Sequence, residues 1–156
     1  TRKVNYYQMI GTNDHPTPDM SMRRSGLIMA GGNRAWIGDT IPQGIDDGVL
    51  TAQEISVLDF REMDLVVLSA CETALGDIDT SEGVFGLQRA FKKAGAKTLI
   101  MSLWKVNDEV TKSLMNKFYK SLLSGKTKHE AFLEAQQFIR FRHPEPQNWA
   151  AFIMLD

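Results

Sequence analysis

Three apolar runs, separated by helical patterns, constrain the fold of this chain more than any other feature. They occupy residues 65–70, 98–104 and 149–155, and the first is β-branched at its centre, as expected for a strand covered on both faces. Between them, apolar residues follow helical spacing in segments that begin near Ser81, Asn107 and Thr127. Strands joined by crossover helices predict an α/β fold with a mainly parallel sheet and helices on both faces.

Local signals define where several helices begin and end. Thr51 and Thr127 each precede a glutamate by three residues, which is the pattern of a capping box. Asn107 or Asp108 is expected to cap the helix that follows the second apolar run. Glycines at positions 95 and 125 end the two preceding helical patterns.

Composition excludes several classes of function. The chain has 156 residues and a net charge of -1, so it has no long-range attraction to nucleic acid or to an anionic membrane. No apolar run approaches the roughly 18 residues that span a bilayer. The one cysteine cannot form an internal disulfide or a multi-thiolate metal site, which favours a reducing, cytoplasmic compartment. The length suits a single core.

Chemically capable residues follow two of the predicted strands. Cys71 comes directly after the first strand, and the second leads through Ser102, Leu103 and Trp104 to Asp108. In parallel sheets such strand ends are where ligands collect. By its position, Cys71 is either a small buried hydrophobe or a nucleophile. None of the three histidines is an evident base for it, and no metal-like spacing is present.

Seven segments in this order resemble the CHAT domain. They lie at 25–33, 47–55, 65–76, 82–91, 94–98, 102–108 and 149–152; the most specific blocks are Ser-Ala-Cys-Glu-Thr at 69–73 and Ser-Leu-Trp-Lys-Val-Asn-Asp at 102–108. CHAT domains are caspase-like and similar to separase. The resemblance implies a three-layer α/β/α sandwich. It also divides the chain into an irregular segment, residues 1–24, and the C-terminal part of a CHAT domain, residues 25–156.

The resemblance implies a cysteine endopeptidase with a His/Cys dyad, in which Cys71 falls on the nucleophile. The family's histidine stands in a His-Gly pair upstream of the segment at 25–33, and this chain contains no such pair, since His15 is followed by Pro16. Together with the Thr1 start, this leads us to expect a truncated domain, inactive alone, with its histidine before residue 1. The alternative is a degenerate CHAT domain that serves as a protein-interaction module.

The same resemblance implies which residues bind the substrate. In caspase-like folds a peptide adds as an extended strand, here along Ser102, Leu103 and Trp104. Trp104 is expected to form a pocket wall, although core packing at the strand end is equally compatible with the sequence. Asp108 is expected either to bind a basic side chain or only to cap a helix. The implied partners are a protein or peptide substrate and a tetratricopeptide-repeat or other regulatory region, with no cofactor.

Overall fold

A computed structural model describes Met22 and residues 25–36, 39–69 and 80–156, in two compact units. Within these ranges, the first unit comprises Met22 and residues 25–36, 39–62 and 80–96, and the second comprises residues 63–69 and 97–156. No helix in the described ranges is long and apolar enough to cross a membrane.

The described residues of the first unit include a short two-stranded sheet and three helices. Strands β1 (Gly26–Ile28) and β2 (Val49–Thr51) pair antiparallel, with Leu27 opposite Leu50. The helices are α1 (Gly32–Trp36), α2 (Ala52–Ile55) and α3 (Thr80–Ala94). Buried apolar side chains of α2 and α3 form the core of this unit, and Phe60 stacks on Phe91 with ring centroids 5.7 Å apart.

Two glycines allow the loops of the first unit to cross closely. A Cβ added to Gly32 would lie 2.5 Å from the Gly48 carbonyl oxygen, and Gly48 itself has a φ of 73°. Any larger residue at either position would collide with backbone, so the two loops are held by glycine on both sides.

The second unit is a three-stranded sheet with helices. Strand β3 (Leu65–Leu68) pairs parallel with β4 (Thr98–Ser102), and β4 pairs antiparallel with β5 (Phe152–Leu155). Strand β4 is buried along its whole length, as expected for a central strand covered on both faces. Helices α4 (Asp108–Leu123), α5 (Lys128–Arg142) and α6 (Pro146–Trp149) lie between β4 and β5 in sequence.

The core of the second unit joins one face of the sheet to α4 and α5. Phe118 of α4 is fully buried and meets Phe132 of α5 edge-to-face, with ring centroids 6.4 Å apart. Ile100 of β4 and Phe152 of β5 belong to the same cluster. Burying these side chains supplies the main driving force for packing the two helices on the sheet.

The α/β fold class is confirmed, and the sheet described in the second unit is mixed. A single crossover helix returns the chain to the edge where the previous strand began, which makes the next strand parallel. The α4–α5 pair instead brings the chain back to the edge where β4 ends, so β5 runs antiparallel to β4.

The predicted helix ends are confirmed, and one predicted strand is wrong at its start. Both capping boxes are present, and Gly95 and Gly125 have the positive φ values of helix-ending glycines, 101° and 93°. The apolar run 149–155 was expected to be strand throughout, which is wrong at its start. Trp149 belongs to α6, and the strand begins at Phe152.

Candidate functional site

The carboxyl ends of β3 and β4 lie side by side at one edge of the second unit. The two strands are parallel neighbours, and Leu68, the last residue of β3, is opposite Met101, the penultimate residue of β4. Ser69, which follows β3, and Ser102, which ends β4, therefore lie at adjacent strand ends. The sequence predicted chemically capable residues after both strands, and the pairing brings those two strand ends together.

Cys71 lies outside the described residues, as do Ala70, Glu72 and Thr73. The chain leaves β3 at Leu68 and reaches Cys71 three residues later. Its role as a nucleophile stays a prediction.

Ser102 ends β4 in a buried position. It is opposite Phe152 of β5 and only 4% exposed. Its hydroxyl oxygen has no hydrogen-bond partner among the residues that the structure describes. A buried hydroxyl without a partner is costly, and the described residues do not offset that cost.

Leu103 and Trp104 carry the chain from the buried strand toward solvent. The Leu103 N–H donates to the Ala151 carbonyl oxygen at 2.8 Å, so a peptide could use this donor only if the segment at Ala151 moved. Trp104 is 40% exposed, and its indole Nε1–H donates to the Gln147 carbonyl oxygen at 2.9 Å. Trp104 is thus not a core residue, and its one polar group is already bonded.

Asp108 is the first residue of α4, and its side chain is exposed. The cap is supplied by Asn107, whose side-chain oxygen accepts the Glu109 N–H at 2.8 Å. Asp108 is therefore not the capping residue. A carboxylate in the first turn is stabilised by the positive end of the helix dipole, which explains its presence there without a ligand.

The described histidines lie elsewhere in the second unit. His129 is exposed in the first turn of α5, and His143 is the residue that ends this helix. His15 lies outside the described residues.

Helix α6 was missed by sequence reasoning and lies directly against this edge, because the Gln147 carbonyl holds Trp104. Pro146 is its first residue, and proline at the first helical position is a recognised start signal that could have revealed it. Nothing local in the sequence indicates that residues 43 positions apart would be joined.

Comparison with known families agrees with this architecture. The family model of the CHAT domain matches residues 15–156, so the match begins ten residues before the resemblance seen in the sequence. The chain belongs to the CHAT domain family, whose members are caspase-like.

Two relatives share part of the chain. Tetratricopeptide repeat protein 28 of Mus musculus and its counterpart of the same name from Homo sapiens are each 37% identical over 112 residues. The alignment covers 69% of this chain and 4% of each relative, so the chain corresponds to a small part of those proteins. No solved structure matches the chain.

Proposed function

We propose that this domain is the nucleophile-bearing part of a caspase-like cysteine endopeptidase and that it acts within a longer cytoplasmic protein. Cys71 is the nucleophile in this proposal, and the histidine comes from outside the 156 residues. The observation that carries the proposal is the parallel pairing of β3 with β4. It supports a site at this edge, because the strand that leads to Cys71 ends beside the strand that leads to Ser102 and Trp104.

The proposed chemistry is acyl transfer through a thioester. The Cys71 thiolate attacks the scissile carbonyl carbon, and the carbonyl oxygen carries the negative charge of the tetrahedral intermediate. The histidine then protonates the amine as the C–N bond breaks, which leaves an acyl-enzyme. Attack by water on the thioester releases the new carboxyl terminus and returns the thiol.

We assign substrate binding to Ser102, Leu103, Trp104 and Asp108. The position of Ser102 at the end of β4, beside the end of β3, supports this assignment. The exposed ring of Trp104 offers apolar surface, and the exposed Asp108 carboxylate offers a negative charge for a basic side chain. The substrate is a protein or peptide, and a tetratricopeptide-repeat region, such as the names of the two relatives suggest, is the proposed regulatory partner.

A non-catalytic interaction module is the second candidate. The observation that favours it is the lack of a His-Gly pair in these 156 residues, because the proposed mechanism needs a general acid and base that this segment does not supply. In this case the edge at Ser102 and Trp104 would bind a partner segment without cleaving it.

The decisive experiment compares the full-length protein with its Cys71→Ala variant on a proteome-derived peptide library. We expect new amino termini with the wild-type protein and none with Cys71→Ala, because removing the nucleophile costs many orders of magnitude in rate. Ser69→Ala, two residues away, is the matched control and is expected to retain cleavage. Library cleavage that is equal in wild type and Cys71→Ala, or absent from both, would favour the interaction module.

A further inference from the structure

Helix α6 controls the position of the Trp104 side chain. The Trp104 indole has one hydrogen-bonding group, its Nε1–H, and this group donates to the carbonyl oxygen of Gln147 in α6 at 2.9 Å. The preceding residue is also tied to this part of the chain, through the bond from the Leu103 N–H to the Ala151 carbonyl. The end of β4 is therefore fastened at two successive residues to the segment that enters β5.

Helix α6 is itself anchored on α5 by side chains. Gln136 of α5 donates from Nε2 to the Phe152 carbonyl oxygen at 2.9 Å and to the Trp149 carbonyl oxygen at 3.3 Å. The guanidinium carbon of Arg140 lies 5.0 Å from the ring centroid of Trp149, which is a cation–π contact. The Trp149 Nε1–H donates to the Pro144 carbonyl oxygen at 3.2 Å. These contacts give a four-residue helix a fixed place.

Bonding of the indole N–H defines what Trp104 can offer a ligand. Trp104 is 40% exposed, and the only donor of its side chain is already used, so the indole presents ring carbon and no free polar group to a ligand. Such a surface binds an apolar side chain through area removed from water and offers nothing to an acidic one. A ring that is already fixed also loses little rotamer freedom on binding.

We propose that α6 is a positioning element that holds the Trp104 indole as one wall of a subsite for an apolar side chain of the bound peptide. The proposal rests on the proposed function, since it concerns the peptide that Cys71 attacks. Gln136 is the positioning residue within it, because it acts on Trp104 only through α6. The proposal goes beyond assigning Trp104 to substrate binding, because it names the element that orients the ring and the class of side chain selected.

The test measures modification of Cys71 in the full-length protein by peptidyl chloromethyl ketones, each compared with chloroacetone. The peptides carry Leu, Asp or Lys at one position at a time, and mass spectrometry of the tryptic peptide spanning residues 62–89 reports the reaction. We expect the Leu peptide to react roughly tenfold faster than the Asp and Lys peptides at one position. The Trp104→Phe variant should lose about three- to tenfold of that preference, measured as the ratio of its Leu-peptide rate to its own chloroacetone rate.

A second pair of variants separates positioning from structural damage. Gln136→Leu removes both bonds from α5 to the α6–β5 segment and should reproduce the lost preference without altering the ring that contacts the peptide. Gln137→Leu makes the same substitution at the adjacent, exposed position of α5 and leaves Gln136 in place, so we expect it to keep the preference. Thermal melting of each variant checks that the fold persists.

The outcomes distinguish this inference from the function on which it rests. If no peptidyl ketone reacts faster than chloroacetone with the wild-type protein, the peptidase proposal itself fails. If peptides do react faster but Trp104→Phe and Gln136→Leu keep the Leu preference, only the role of α6 is overturned. A preference for Lys or Asp that depends on Trp104 would overturn the apolar subsite.

Discussion

The Glu134 side chain of α5 contacts two lysines and a serine. Its carboxylate accepts hydrogen bonds from Lys126 Nζ at 2.8 Å, from the Ser121 hydroxyl, and from Lys117 Nζ at 3.1 Å. These bonds, in that order of strength, lower the pKa of Glu134 from 4.5 to about 2. One side chain thus fastens α5 to α4 and to the loop that joins them.

Replacing Glu134 with Gln tests this cluster through its pH dependence. Between pH 4.5 and about 2 the unfolded wild-type chain takes up a proton at this position and the native chain does not, so wild-type stability falls as the pH falls. We expect Glu134→Gln to lower the urea midpoint at pH 7 and the difference to vanish near pH 2. A difference that is the same at both pH values would indicate lost packing instead of lost charge.

Asp59 provides a control for the Glu134 prediction. Its pKa is also lowered to about 2, chiefly by the side-chain hydrogen bond from Arg61. Both partners are well exposed and only two residues apart, so they can meet in the unfolded chain and solvent screens the pair. We expect Asp59→Asn to change the urea midpoint little at any pH.

The capping boxes decide where α2 and α5 begin. At α5 the Thr127 hydroxyl oxygen accepts the Glu130 N–H, and the Glu130 carboxylate accepts the Thr127 N–H at 3.0 Å. The helix that follows places Phe132 and Ile139 in the core of the second unit. A weakened start of α5 therefore loosens side chains on which α4 packs.

Thr127→Ala should lower the free energy of unfolding by about 1 kcal/mol, because the Glu130 N–H at the helix start loses the hydroxyl oxygen that accepts it. Urea denaturation followed by circular dichroism measures the change. Thr127→Ser retains the hydroxyl and should stay close to the wild type. An unchanged midpoint in Thr127→Ala would mean that water replaces the cap at no cost.

Elements with strong local signals are predictable, and contacts between distant residues are not. Thr51, Thr127, Gly95 and Gly125 each act on their own neighbours, which is why the sequence predicts them correctly. The run 149–155 is apolar in both its helical and its strand part, so hydrophobicity alone could not separate α6 from β5. Likewise the position of Trp104 depends on a carbonyl 43 residues away, which no local pattern encodes.

At the scale of the whole molecule, each unit has a core of its own. Phe118 belongs to the core of the second unit. It is fully buried and contacts both Tyr119 and Phe132 edge-to-face. The proposed site lies at one end of the sheet that this core supports, so its geometry depends on the same packing.

Phe118→Ala should destabilise the second unit by about 3 to 5 kcal/mol, because it removes an aromatic side chain and leaves a cavity. Native-state hydrogen exchange should then show faster exchange of the β4 and α5 amides. Phe118→Leu fills most of the space and should cost about 1.5 kcal/mol or less. A loss below 1 kcal/mol in Phe118→Ala would show that the core collapses into the space.

The helical pair between β4 and β5 also bears on the order in which the molecule assembles. Helices α4 and α5 are joined by four residues and contact each other along their length, so most of their contacts are local and can form early. Ser102 and Phe152 are 50 positions apart in the chain. Once the helices have docked, fewer flexible residues separate these two positions. The loop that must still close is then effectively shorter, and closing it costs less entropy. We therefore expect the bond between Trp104 and α6 to form after the two helices have docked.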